Sequence, residues 1–526
     1  MADWLSLQGI YEGVGEAVFD DPRGTVRGPV TITFDEFGQL TIVMVVDSHE
    51  CEREFVFGLR GFLWGEKPAE GGKGAWIGFG GGRQNLCSKL LVKTADGIFS
   101  AGPGLLYNAY ESEEGAARLT FHPIRSQFDV TGCRRATCWV LPLANFISEF
   151  GQSSQEIADH PLRIRNADQD TPTRLILFQF RDAPGFIEPL PDYEARKSAL
   201  GAGRERTRVT AVMVGECAGQ DIDTLEKWFP FNFVPLLSLS TGIEVGAPWI
   251  EFRDDRGNLV RRLHQTLDYP PFFSDGHAAF REWIHLGTGK LLTTALASEY
   301  FSQGFLRVAV RHAVMAGLYN RGLEEKLIDL VRALECVCDK FGLRVQRLLD
   351  GSSPETQERI KTILCGARDQ IGRIAAGGPD ERSRSRIRKI SERAFSAKDT
   401  YRDFGISVVD LLHRFDLQDA GMLDAYYRAN PRPDGRKWPA LLSRYRGVVV
   451  HEGYFNLDQP GYDIGDLLTV ILHLHDVTIR VILKLLRYQG TYQPTVIPGT
   501  AAELVDWVQP NVGAQCLVRR PLLGSE

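Results

Sequence analysis

Residues 269–286 read YPPFFSDGHAAFREWIHL, and the texture of the chain changes across them. Pro270 and Pro271 suit neither a strand interior nor a helix interior, so they mark a boundary. Upstream, the runs from Val26 (VRGPVTITF), Gln39 (QLTIVMVV) and Arg53 (REFVFGLRGFLWG) are rich in β-branched and aromatic residues punctuated by glycine, which is strand texture. The turn Asp254-Asp255-Arg256-Gly257-Asn258 between WIEF and LVRRL predicts a hairpin. One short helix is expected before Trp228, with Asp223 as its N-cap, and the polar stretch from Pro189 to Arg208 reads as a loop or linker. Downstream of His277 the apolar period becomes helical. One long candidate runs from Lys290 to Tyr319, and in the next Leu327, Leu330, Val331, Leu334, Val337 and Cys338 keep the i, i+3, i+4, i+7 rhythm. Further helical patterns begin near Pro354, Tyr401, Trp438 and Asp463. The expected fold is α+β: a β-rich, sandwich- or barrel-like amino-terminal region over 1–268, in one or two lobes, then an all-α bundle over 276–495 and a tail over 496–526.

With 526 residues, 43% hydrophobic and 24% charged, the composition is that of a globular protein able to bury sizeable cores. A net charge of −6 argues against a general nucleic-acid coat but not against a local basic site. Nine singly scattered cysteines suggest reduced thiols and a cytoplasmic location. Cys133 and Cys138 alone approach metal-ligand spacing, and no second Cys/His pair follows them; no metal or cofactor is expected. The opening MADWLSLQGIYEG lacks the basic start and apolar run of a signal peptide, and His473, His475, Asp476, Arg480 and Lys484 make the apolar stretch 467–486 an amphipathic helix, so no membrane association is expected.

Several motif-like runs lead nowhere. Lys73 in EGGKG is not followed by Ser or Thr, as a phosphate loop requires, and GFGGG at 78–82 reads as a tight β turn. His473 and His475, two apart on a helix, point in different directions and are expected in a core or interface. The run from Arg382 to Arg393 (RSRSRIRKISER), with six basic residues and one acidic, reads first as a solvated face and second as a phosphate-contacting surface. Trp228, Phe229, Phe231 and Phe233 would line a ligand pocket, though a hydrophobic core explains them more simply.

Residues 441–456, LLSRYRGVVVHEGYFN, carry two guanidinium groups near one imidazole. Arginine offers a planar donor fork for phosphate, and histidine moves protons near neutrality. RNA brings its own nucleophile, the 2′-hydroxyl, so cleavage needs a base, an acid and charge stabilisation, with no metal in the scheme. His451 lies seven residues after Arg444 and five after Arg446. On an ideal helix the first pair is about 20° from alignment and the second about 140°. Gly447 would allow a kink that brings Arg446 round, so both arginines stay as candidates. A surface arginine beside a packed histidine would leave the same letters.

With these residues, the segment from Phe280 to Tyr492 resembles the HEPN superfamily of helical domains, whose ribonucleases carry R-x(4–6)-H; Arg446-GVVV-His451 and Arg444-YRGVVV-His451 both satisfy it. LVRALECVCDKFG is similar to that family's earlier helix, with Glu335 at the position of its acidic residue, and VILKLLRYQGTY resembles its closing helix. The β-rich half followed by this domain resembles the layout of ApeA-type defence proteins. Gly447 stands after Arg446 where active members usually have a polar residue, often Asn. The resemblance implies a metal-independent endoribonuclease acting in antiphage, abortive-infection defence. It implies a homodimer through the helical domain, RNA (tRNA or another structured RNA) as substrate, and a phage-derived trigger sensed by the amino-terminal region. Arg446, with or without Arg444, would hold the scissile phosphate, His451 would transfer protons, Glu335 would orient an arginine, and Val448 to Val450 would pack at a bundle or dimer core. A non-catalytic scaffold that binds RNA or a partner is the alternative.

Overall fold

The computed structural model describes residues 5–19, 25–35, 40–47, 86–102, 105–111, 116–123, 125–132, 135–151, 160, 162–164, 174–180, 183–265, 276, 278–279, 284–346, 353–377, 380–394, 400–401, 403–417, 438–452, 454–455, 464–490 and 492. The strand expected from Arg53, the glycine turn at 78–82, the boundary at 269–275, Cys133 and the tail from 496 lie outside them. The chain forms two compact units: Met1–Arg321 with Ile482–Thr495, and Gly322–Val481.

In the first unit, β1 (Gly9–Phe19), β2 (Thr25–Phe34), β3 (Leu40–Asp47), β4 (Leu86–Thr94), β5 (Gly97–Ala101), β6 (Leu105–Glu111), β7 (Ala116–His122) and β8 (Arg125–Val130) precede β9 (Cys138–Ala144), β10 (Ile176–Phe180), β11 (Ala183–Pro189), β12 (Val209–Glu216), β13 (Trp249–Arg253) and β14 (Leu259–Gln265). Their order in the sheet is β1-β2-β3-β7-β6-β4-β5-β8-β14-β13-β9-β12-β11-β10, antiparallel throughout. An additional β1–β4 pairing closes the first six strands of that order into a ring. Period-two alternation makes the ring: in β2, Val26, Val30, Ile32 and Phe34 are buried among less covered neighbours. They meet Ile42, Met44, Leu90, Val92 and Phe121 in one core, so the ring is filled with side chains. The expected hairpin forms between β13 and β14, with Asp254 Oδ1 accepting from the Arg256 and Asn258 amides and Gly257 at φ 82°.

Strands β9, β12 and β13 are buried almost end to end. Helix α1 (Tyr193–Gly201) packs on β12, and α2 (Ile222–Trp228) and α3 (Val234–Thr241) follow that strand in the chain. Two sequence expectations are corrected here. The supposed loop at 189–208 contains α1, and the N-cap of α2 is Asp221, whose side chain accepts from Thr224 N at 2.7 Å, not Asp223. The run after α2 forms core: Phe229 and Phe233 are fully buried against Trp139, with ring centroids 4.6 and 6.1 Å away. Phe231 is exposed, with the Arg307 guanidinium over its ring.

The long helix expected from Lys290 is two helices, α4 (Ile284–Leu296) and α5 (Gly304–Gly317). Ser298 sits at the break, and its hydroxyl donates to Leu485 O at 2.7 Å. Helix α4 lies tight on β10: a Cβ at Gly289 would stand 2.1 Å from Leu177 O, and Thr293 Oγ1 accepts from Gln179 N at 3.0 Å.

The second unit contains α6 (Leu323–Lys340), α7 (Pro354–Ala376), α8 (Glu381–Ala394), α9 (Phe404–Arg414), α10 (Trp438–Glu452) and most of α11 (Ile464–Leu485). It also holds a two-stranded pair, β15 (Val345–Gln346) with β16 (Thr400–Tyr401), so the region expected as all-α carries a small β element. All six residues of the α6 stripe are buried. His473 and His475 are buried in α11, and His473 meets the Trp438 ring edge-on at 4.9 Å. Among the described residues, no helix is long and apolar enough to cross a membrane.

A candidate phosphate-binding face on α10

Helix α10 runs continuously through Gly447, and on regular helix geometry Arg446 and position 451 stay about 140° apart. Tight packing places this helix. A Cβ at Gly405 of α9 would fall 2.0 Å from Pro439 O, so only glycine lets the two backbones approach so closely. Beside that contact, Ser443 Oγ donates to Asp403 Oδ1 at 2.6 Å and accepts from Gly405 N at 2.9 Å.

Leu441, Leu442, Tyr445, Val448 and Val449 form the buried side of α10, and Tyr445 packs edge-on against Phe455. Val450 is 48% exposed, so only two of the three valines pack inward. Ser443, Arg444, Arg446 and Gly447 are partly exposed. At 100° per residue, the open face spans an arc of about 160°, with Arg446 on one rim, Arg444 and His451 on the other, and Gly447 and Val450 between. Position 451 belongs to the last turn of α10, and the His451 side chain lies outside the described residues. Among the described residues, nothing stands within 4 Å of a Cβ placed at Gly447, so they leave the middle of this face flat and open.

Arg446 is tied to the neighbouring helix α6. Its Nε and Nη2 donate to Glu335 Oε1 at 3.1 and 2.9 Å. The same oxygen meets Arg344 Nη2 at 3.2 Å, and Arg344 Nη1 donates to Asp339 Oδ2 at 3.0 Å. Arg446 and Glu335 are 27% and 18% exposed, so the pair sits at the edge of solvent, where a guanidinium remains reachable. Among the described residues, no hydrogen bond uses Arg446 Nη1. Glu335 thus fixes the positions of two guanidiniums, Arg446 and Arg344, with Asp339 balancing the second.

Arg344 is the site residue that the helical period does not reveal, because it lies beyond the end of α6. Gly342, at φ 68°, ends that helix with Leu343 N donating to Cys338 O and Gly342 N to Asp339 O. This left-handed cap turns the chain back, so that Arg344 reaches Glu335. The signal that could have found it is the run ECVCDKFGLR: two acids, Glu335 and Asp339, near the end of an amphipathic helix, then a glycine just past it and a base two residues on.

Among the described residues, no three His, Cys, Asp or Glu side chains cluster in a way that would hold a metal ion. No family model, no curated protein and no solved structure matches this chain.

Proposed function

We propose that the protein is a HEPN-type endoribonuclease whose reaction needs no metal ion. The observation that supports this best is the open face of α10, with arginines on both rims, Arg446 held by Glu335 of α6, and position 451 in the helix's last turn. RNA laid across Gly447 would place a phosphate between Arg446 and Arg444. A base removes the 2′-hydroxyl proton, the 2′-oxygen attacks phosphorus, and the 5′-oxygen leaves as it gains a proton, giving a 2′,3′-cyclic phosphate. His451 would move one of these protons; in a homodimer with α10 at its two-fold axis, a second His451 would move the other. The β-rich unit fits a sensor that responds to a phage-derived trigger, which makes the whole an abortive-infection effector.

A second reading is that the same face binds RNA without cutting it. The spacing on α10 favours it in one respect: Arg446 is turned about 140° from His451 on an unbroken helix. One experiment separates the two. Purified wild type, His451→Ala, Arg444→Ala and Arg446→Ala proteins are incubated with tRNA, with and without EDTA. The nuclease reading expects cleavage by wild type that survives EDTA and falls by about a hundredfold or more in His451→Ala. Equal cleavage by wild type and His451→Ala would remove the activity from this site, and loss with EDTA would remove the metal-free scheme. The arginine that holds the scissile phosphate loses more rate than its neighbour when truncated.

A further inference from the structure

Helices α7 and α8 pair as a hairpin that buries little of itself: Ala375 alone is buried among the 23 residues of α7. In α8, Arg382, Arg386, Arg388 and Lys389 are all exposed. Arg382, Arg386 and Lys389, spaced i, i+4, i+7, fall within an arc of about 60° and extend about 10 Å along the axis. None of the three meets an acidic side chain among the described residues, whereas Arg384, on the opposite side, lies 3.5 Å from Glu381. Helix α8 starts firmly, with Asp380 Oδ1 accepting from Ser383 N and its Oδ2 from Ser383 Oγ, each at 2.7 Å.

This arrangement is costly in the isolated protein. Arg382–Arg386, Arg384–Arg388 and Arg386–Lys389 are like-charged pairs at helical contact spacing, and each opposes the helix. A polyanion lying along the stripe would remove that cost and exchange counterions for arginines. We infer that the α8 stripe Arg382–Arg386–Lys389 is a contact surface for the phosphate backbone of RNA. The choice of RNA rests on the ribonuclease reading above; the cationic stripe does not. A membrane surface fits less well, because an interfacial helix needs a bulky apolar face, and α8 has only two apolar residues larger than alanine, Ile387 and Ile390, with Arg384 and Arg388 on the side away from the stripe.

The test uses the full chain carrying His451→Ala, so that binding is read without cleavage, with and without Arg382→Gln/Arg386→Gln/Lys389→Gln. Circular dichroism checks that the helices persist. Fluorescence anisotropy of labelled oligouridine is measured across a sodium chloride series. The triple variant should bind about tenfold or more weakly, and its log–log salt slope should be shallower by about two, at about 0.7 per lost phosphate contact. The Arg382→Lys/Arg386→Lys variant should keep the slope, since a backbone contact reads charge. Unchanged affinity and slope in the triple variant overturn the surface. So does a loss confined to phosphatidylserine vesicles with oligouridine binding intact. The slope is independent of cleavage: a His451→Ala protein that still cuts RNA sinks the nuclease assignment, and a reduced slope in the triple variant would still support the surface.

Discussion

Arg446 places two hydrogen bonds on a single oxygen of Glu335, and Arg344 approaches the same oxygen. Removing that negative charge would leave the Arg446 guanidinium partly covered without this counter-ion, while Arg344 keeps Asp339. Glu335→Gln is expected to cost about 1 kcal/mol, read as a lower urea midpoint. It should also tighten RNA binding at low salt while slowing cleavage, because the cations gain net charge and lose their fixed position. Weaker binding would mean that orientation, not charge, is what Glu335 supplies. Gly447 argues the converse case. No described residue stands within 4 Å of a Cβ there, so Gly447→Ala should raise helix stability by about 0.5–1 kcal/mol. Gly447→Leu should fold equally well yet bind RNA poorly, because the leucine would fill the open middle of the face. Equal RNA affinity in Gly447→Leu and wild type would mean that RNA does not cross this surface.

Among the elements, α6 shows what was legible and why. Its apolar stripe is long and regular, so the buried side follows from the 3.6-residue period alone. Helix α1 lacked such a stripe. Its buried residues are Tyr193, Arg196, Ala199 and Leu200, and Arg196 is held by Asp192 Oδ1 at 2.6 Å and by Val209 O, so a charged residue fills an inward position. The break between α4 and α5 was hidden because apolar spacing continues across it, while tertiary bonding of Ser298 does not show in the letters. At the candidate site, Arg444, Arg446, His451 and Glu335 were legible as residue types, but the α10–α6 pairing depends on helix packing. Arg344 depends on one backbone conformation at Gly342. Gly342→Ala places a side chain at φ 68° and should cost about 1 kcal/mol in the urea midpoint. If that cap is what positions Arg344, the variant also loses RNA affinity, to about the level of Arg344→Ala.

Over the whole molecule, each unit buries a histidine beside an arginine, and this couples its stability to pH. In the first unit, Glu251 is fully buried and accepts from Trp249 Nε1, Arg253 Nε and Arg262 Nη2. Burial alone would raise its carboxyl, but Arg262 and then Arg253 outweigh that and hold it below the ordinary range. Arg262 also donates to Tyr11 Oη of β1 and covers the Phe34 ring of β2, which ties the closed ring to β13 and β14. Glu251→Gln would leave two buried cations poorly paired, at a cost of about 3–5 kcal/mol. His264 lies in the same cluster, near the Phe34 and Trp249 rings; burial, and then the Arg262 charge, push it well below 6.5. In the second unit, burial and then Arg480 push His473 down to about 3. Both imidazoles are therefore neutral when folded. Above pH 6.5 they are neutral in the unfolded chain too, and their contribution to stability is complete. As pH falls below 6.5 the unfolded chain takes up protons that the folded units refuse, so stability declines, for His473 until about pH 3. Urea midpoints measured from pH 7 downward should fall for wild type. They should fall less steeply in His473→Phe for the helical unit and in His264→Phe for the sheet unit, each followed by hydrogen exchange of its own amides. At pH 7 His473→Phe should be neutral or stabilising by about 1 kcal/mol, since neither ring nitrogen has a hydrogen-bond partner among the described residues. A wild-type pH dependence that persists in both variants would assign the acid sensitivity to the carboxylates, Glu251 foremost, whose contribution is lost only below their unfolded value of about 4.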